Sequence, residues 1–170
     1  LRRRGGNDDS TEVIGTCMLK PGDKAPAFQG YAADGSVVRL DDFLGKQNVV
    51  LYFYPKDFTA VCTREACLFR DAHEELAAAD TVVIGVSLDD QASHRRFADE
   101  HGLNFVLLSD DDKAISRAYG AVGLLGGLLN MARRVTFLID KQGIIRGVFH
   151  HELSATKHLD SVRQALAAMR

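Results

Sequence analysis

The 170-residue sequence has no tryptophan, only three cysteines and three prolines, and no excess of either charge. Three cysteines are too few, and an odd number, for the disulfide framework of a small secreted domain, so the thiols read as reactive or buried. Lysine and arginine number 21 against 23 acidic residues, and the signs are interspersed, leaving a net charge of −2. Nothing in that balance calls for a nucleic acid or a membrane surface as partner. Long apolar runs are absent too. The longest, AVGLLGGLLNMA from Ala121 to Ala132, contains three glycines and falls short of the ~20 residues a spanning helix needs. No glycine-rich phosphate loop is present, and no Ser-His-Asp arrangement of recognisable context. Six histidines are present, but His150 and His151 are adjacent, and neighbours in a strand point to opposite faces. The histidines are therefore expected to be surface or partly buried side chains, and neither a metal nor a cofactor is expected.

What remains describes one domain. Hydrophobic residues make up 46% of the chain, enough for a sizeable core. Residues 1–16 (LRRRGGNDDSTEVIGT) are polar and aperiodic and are expected to form a flexible tail, with 17–170 a single domain. Arg2, Arg3 and Arg4 suggest a transit peptide, but Asp8, Asp9 and Glu12 argue against one. With sparse thiols and no recognisable leader, the expected compartment is the cytoplasm.

The body alternates strand-like and helix-like segments. Phe28–Tyr31 and Ser36–Leu40 flank Asp34-Gly35, a hairpin dipeptide. VVLYFY (49–54) and TVVIGVSL (81–88) are apolar runs rich in β-branched residues, as in buried strands. Between them Leu68, Ala72, Leu76 and Ala79 recur at helical spacing. Gln91 to His101 reads as a polar helix stopped by Gly102, 105–108 as a strand, and 112–119 as a short helix. Residues 135–139 and 144–149 form a second hairpin, and Ser154 caps a last helix whose Leu159, Val162, Leu166 and Met169 share a face. The order β-β-β-α-β-α-β-α-β-β-α predicts an α/β fold: a central mixed sheet flanked by helices, with an N-terminal β-hairpin. The run 121–132 reads as a loop and short helix packed on the core. An apolar collar or self-association patch is the alternative, so a monomer is expected, with a weak dimer as the other outcome.

Two of the cysteines stand in YPKDFTAVCTREACLF (54–69). Cys62 and Cys67 are too widely spaced for a Cys-x-x-Cys reductase or a zinc knuckle. Cys62 follows a strand and opens a helix, with Thr59 placed to cap it and Glu65 and Glu74 farther along. A thiol in a first helical turn meets unpaired N–H groups and the positive end of the helix dipole, and both favour the thiolate. Placement alone leaves two readings open: a nucleophile, or a small buried hydrophobe.

The segment Pro55-Lys56-Asp57-Phe58-Thr59-Ala60-Val61-Cys62 fits P-x-x-x-T-x-x-C, the active-site pattern of peroxiredoxins. The wider YPKDFTAVCTREACLFRD resembles the bacterioferritin comigratory protein, or peroxiredoxin Q, subfamily. The likeness continues through LKPGDKAPAF, VVLYFYPKD, VVIGVSLDD, SHRRFADEHGLNFVLLSDDD and RVTFLIDKQGIIRGVF. It implies a thioredoxin-like fold and a peroxidase of hydrogen peroxide and organic hydroperoxides that is recharged by thioredoxin. It also implies roles: Cys62 peroxidatic, Thr59 hydrogen-bonding the peroxide, Pro55 shielding the sulfur, and Arg134 holding it as thiolate. Arg133 is set apart from Arg134 by strand alternation. The subfamily commonly has Pro-Gly where this chain has Ala60-Val61, and Asp where Phe58 stands. Cys67 matches the subfamily's resolving cysteine. On a helix, Cα atoms five apart lie roughly 8–9 Å from each other with side chains about 140° apart, whereas a disulfide needs about 7 Å or less. A Cys62–Cys67 bond therefore requires the helix to unwind first. Cys17 matches no role. The rivals are a thioredoxin-like disulfide oxidoreductase, which the missing Cys-x-x-Cys and the absence of any proline after Pro55 oppose, and a noncatalytic redox-sensing or holdase module.

Overall fold

The computed structural model describes residues 18–122 and 131–170. The expected tail, Cys17 and most of the apolar run 121–132 lie outside the described residues. Seven strands form one mixed sheet: β1 (Gln29–Ala32), β2 (Val37–Arg39), β3 (Asn48–Phe53), β4 (Thr81–Ser87), β5 (Val106–Ser109), β6 (Val135–Ile139) and β7 (Ile145–Phe149). Their spatial order is β2-β1-β5-β4-β3-β6-β7. The central trio β3, β4 and β5 runs parallel. Both flanks are antiparallel, closed by the β1–β2 hairpin on one side and the β6–β7 hairpin on the other.

Parallel neighbours need crossovers, and helices supply them. Between β3 and β4 lie α1 (Ala60–Asp71) and α2 (His73–Ala78); α3 (Gln91–His101) joins β4 to β5. The short α4 (Ala114–Ala118) follows β5, and α5 (Ala155–Ala168) ends the chain. The periodicity across Leu68 to Ala79 predicts one helix, but the structure breaks it in two. Ala72 sits at φ −85°, ψ 4°, outside helical values, so the turn into α2 begins there. Gly102 stops α3 at φ +59°, a left-handed conformation that costs glycine nothing.

Because β3 is covered on both faces, all six of its residues are buried. Alternation sends Val49, Leu51 and Phe53 into a core with Ile84, Val86, Tyr119 and Phe137. Val50 and Tyr52 face the opposite way, with Tyr54 just beyond the strand, into a core shared with Cys62, Phe69, Phe97, Leu159 and Val162. Gly85 stands opposite Tyr52. A Cβ there would come within 2.8 Å of both the Tyr52 ring and Leu107, so glycine is what admits the tyrosine. Cys62 is thus built into the helix-side core.

Candidate active site

The β3 strand ends at Phe53 and α1 begins at Ala60, so Pro55 to Thr59 form the connecting loop. Asp57 anchors that loop to the segment after β4 and to α3. The Asp57 N–H donates to Asp89 Oδ2 at 2.8 Å. The Asp57 carboxylate accepts from Tyr54 Oη (2.7 Å) and Ser93 Oγ (2.8 Å) and pairs with His94 Nδ1 at 2.8 Å. The far nitrogen of His94 lies 3.1 Å from the Leu108 carbonyl. Burial pushes the Asp57 carboxyl up, but His94, Tyr54 and Ser93 outweigh it and hold the group below its ordinary value.

Phe58 takes the left-handed conformation, φ +64°, uncommon for so bulky a residue. Its ring rests edge-on against Phe97, centroids 5.2 Å apart, which helps hold the strained residue in place. Thr59 occupies the N-cap position of α1, but its side chain makes no capping bond. Instead Thr59 Oγ1 donates to the Lys56 carbonyl at 3.1 Å. The expected side-chain cap is thus replaced by a bond that closes the loop on itself, and among the described residues no side chain caps the first-turn N–H groups of α1.

Cys62 is the third residue of α1 and is 1% exposed. Arg134, just before β6, points inward while Arg133 faces solvent, as strand alternation predicts. The Arg134 guanidinium forks: Nη2 lies 2.9 Å from Cys62 Sγ and Nη1 lies 2.5 Å from Glu65 Oε2. Burial opposes its charge, but Glu65 and Cys62 beside it outweigh burial and raise it further above its ordinary value. A fixed guanidinium and a helix N-terminus together favour a sulfur anion. Cys67 lies on the same unbroken helix, partly exposed, and both thiols are free.

Sequence reasoning passed over what lies behind this pair. Glu65 is fully buried, and its second oxygen, Oε1, has no hydrogen-bond partner. Burial lifts its carboxyl to about 7 despite the pull of Arg134. His158 of α5 stands 3.7 Å from that oxygen through Nδ1. The reading of all six histidines as surface or partly buried is corrected here, since His94 and His158 are both 0% exposed. Each is satisfied by partners from elsewhere in the chain, which spacing along the sequence does not reveal. The signal that was available for Glu65 is its position three after Cys62, which sets both on one face of the helix.

A buried thiol on a first helical turn, gripped by arginine on a mixed sheet of this topology, defines a thiol-based redox enzyme of thioredoxin-like fold. Residues 21–148 match the AhpC/TSA family. Peroxiredoxin Bcp of Bacillus subtilis is 42% identical over 156 residues, covering 89% of this chain and 96% of that protein. Peroxidoxin BcpB of Mycobacterium tuberculosis superposes with a TM-score of 0.82 at 34% identity, over 89% of this chain and 99% of the other. The bacterioferritin comigratory protein of Xanthomonas campestris, solved in work on its alkyl peroxide reduction, gives 0.76 at 29% identity, over 84% and 91%. The chain belongs to the AhpC/TSA family, among its peroxiredoxins of the Bcp and Q type. Among the described residues no helix is long and apolar enough to cross a membrane.

Proposed function

We propose that this peroxiredoxin reduces hydrogen peroxide and organic hydroperoxides with Cys62 as the attacking thiolate. The observation that carries the reading is the 2.9 Å contact between Arg134 Nη2 and a buried Cys62 Sγ. The thiolate attacks the terminal peroxide oxygen and the O–O bond breaks. With one proton taken up, the products are Cys62–SOH and water or an alcohol. Arg134 and the uncapped first turn of α1 supply donors where charge develops as that bond lengthens. Thr59 orients the peroxide and Pro55 shields the sulfur.

Cys67 then resolves the sulfenic acid: its sulfur bonds to Cys62 Sγ and water leaves. The disulfide is reduced by a dithiol partner such as thioredoxin, which takes on the disulfide in exchange. Such a cycle suits the cytoplasm, where dithiol reductants keep thiols reduced. Peroxide consumption with thioredoxin and its reductase tests the assignment. Cys62→Ser should abolish consumption, whereas Cys67→Ser should consume one equivalent and stop. Sustained turnover by Cys62→Ser would overturn the role of Cys62, and sustained turnover by Cys67→Ser that of Cys67.

A further inference from the structure

Arg134 faces two acids with one positive charge. Its fork holds Cys62 Sγ on one tine and Glu65 Oε2 on the other, and every member is buried. Two anions against a single guanidinium in a dry site leave one charge unbalanced, and burying an unbalanced charge is costly. A proton must therefore reside on one of the two acids. The surroundings of Glu65 show where it has been provided for. Oε1 is buried with no donor pointing at it, the arrangement of an oxygen that itself carries hydrogen.

The group opposite Oε1 is an acceptor. His158 Nε2 lies 3.0 Å from the His151 carbonyl, which fixes the ring hydrogen on that nitrogen. Nδ1 then presents a lone pair toward Thr136 Oγ1 at 2.8 Å and Glu65 Oε1 at 3.7 Å. The Thr136 hydroxyl is a rotor and can cede the lone pair. Burial, opposed by the bond to His151, lowers His158 to about 4 and keeps the imidazole neutral. Among the described residues, the other groups around the pair give Glu65 no second cation. Tyr52 of β3 has an unpartnered hydroxyl, and His150 and His151 act on the His158 side.

We propose that Glu65 is the seat of the proton that Cys62 gives up, with His158 Nδ1 receiving the new O–H. The exchange is Cys62–SH + Glu65–COO⁻ → Cys62–S⁻ + Glu65–COOH, which conserves the net charge beside Arg134. Glu65 and His158 are positioning residues: they set the protonation state of Cys62 and do not touch the peroxide. The inference rests on Cys62 as the reactive thiolate but not on peroxide turnover.

The test is the pH dependence of Cys62 alkylation by iodoacetamide, in a Cys17→Ser/Cys67→Ser background with folding verified by circular dichroism. Glu65→Gln mimics the protonated acid, since its carbonyl accepts from Arg134 and its amide donates to His158. Its alkylation midpoint should not rise: it stays in place where Glu65 already holds the proton and falls by up to about one pH unit, a roughly tenfold gain in thiolate over thiol, where the two acids share it, and the curve should become a single titration. His158→Phe, which removes the acceptor, should move the midpoint up, and His158→Asn, which restores an acceptor near Nδ1, should bring it back. A midpoint that rises in Glu65→Gln would mean that Glu65 serves Arg134 as a carboxylate, and the proposal fails. It also fails if His158→Asn behaves like His158→Phe. Should His158→Phe not fold, the sign of the Glu65→Gln shift decides alone. Alkylation needs no peroxide, so a protein that shows these shifts yet fails to consume peroxide would sink the peroxidase reading and leave the proton exchange standing.

Discussion

Arg134 carries more of this site than any other single side chain, because its planar fork reaches Cys62 and Glu65 at once. A lysine ammonium is a compact point charge without that fixed fork geometry. Arg134→Lys should therefore keep some affinity for the sulfur but lose one of two charge-assisted hydrogen bonds, worth ~1.5–3 kcal/mol. The second-order rate of peroxide reduction is expected to drop about 10- to 100-fold, and a near-native rate would show that charge alone suffices. Asp57 makes a comparable argument one loop away. Its carboxylate is 3% exposed and pairs with a fully buried His94, so Asp57→Asn breaks a buried pair and leaves its partner short. Urea unfolding should show a loss of ~3 kcal/mol. A loss below about 1 kcal/mol would mean that the pair contributes little to anchoring the loop.

Helix α1 holds both cysteines in one continuous stretch, Ala60 to Asp71, so the geometry that keeps them apart holds in the folded protein. The break at Ala72 bounds what must melt: α1 can unwind while α2 and its contacts to β4 stay in place. One equivalent of peroxide should therefore strip hydrogen-exchange protection from residues 60–71 while 73–78 keep theirs. Cys67→Ser should retain protection throughout. If wild-type α1 stays protected after a Cys62–Cys67 disulfide has formed, the unwinding argument is wrong. The elements involved were legible in the sequence because local pattern dictates them. VVLYFY announces a buried strand, Asp34-Gly35 a hairpin, and Gly102 and Ser154 helix ends, and each appears within a residue or two. The Ala72 break was not legible, because Leu68, Ala72, Leu76 and Ala79 keep helical spacing through it. Nor was the hydrogen bond that the Thr59 hydroxyl makes here, since a threonine at an N-cap usually accepts from the helix, whereas this one donates to the Lys56 carbonyl. Cys62 and Arg134 were legible through the likeness of a long ordered pattern. Glu65, His94 and His158 were not, because their significance lies in burial against side chains brought in from other elements, as between Arg134 and Glu65, 69 residues apart.

At the scale of the whole molecule, the buried acid and the buried imidazole couple the site to global stability with opposite signs. His158 is lowered to about 4 from an ordinary 6.5, so its neutral form favours the fold. That contribution is complete above 6.5 and is lost as pH falls toward 4. Glu65 is raised to about 7 from an ordinary 4.5, so its protonated form favours the fold, fully below 4.5, and that contribution is lost as pH rises through 7. Between about 4.5 and 6.5 the two slopes oppose each other: the unfolded chain holds the extra proton on His158 and the folded chain holds it on Glu65. Wild-type stability should accordingly owe little net pH dependence to this pair within that window. Glu65→Gln removes one side of the balance, because glutamine does not titrate. Relative to wild type, the variant should gain stability steadily as pH rises from about 4.5 to about 7, by a total on the order of 3 kcal/mol. Urea midpoints of the two proteins at half-unit pH intervals measure this difference directly, and the contributions of other carboxylates cancel in the comparison. A difference that stays constant with pH would place Glu65 in the folded protein as an ordinary carboxylate. The raised acid, and with it the link between thiolate formation and the stability of the fold, would then be refuted.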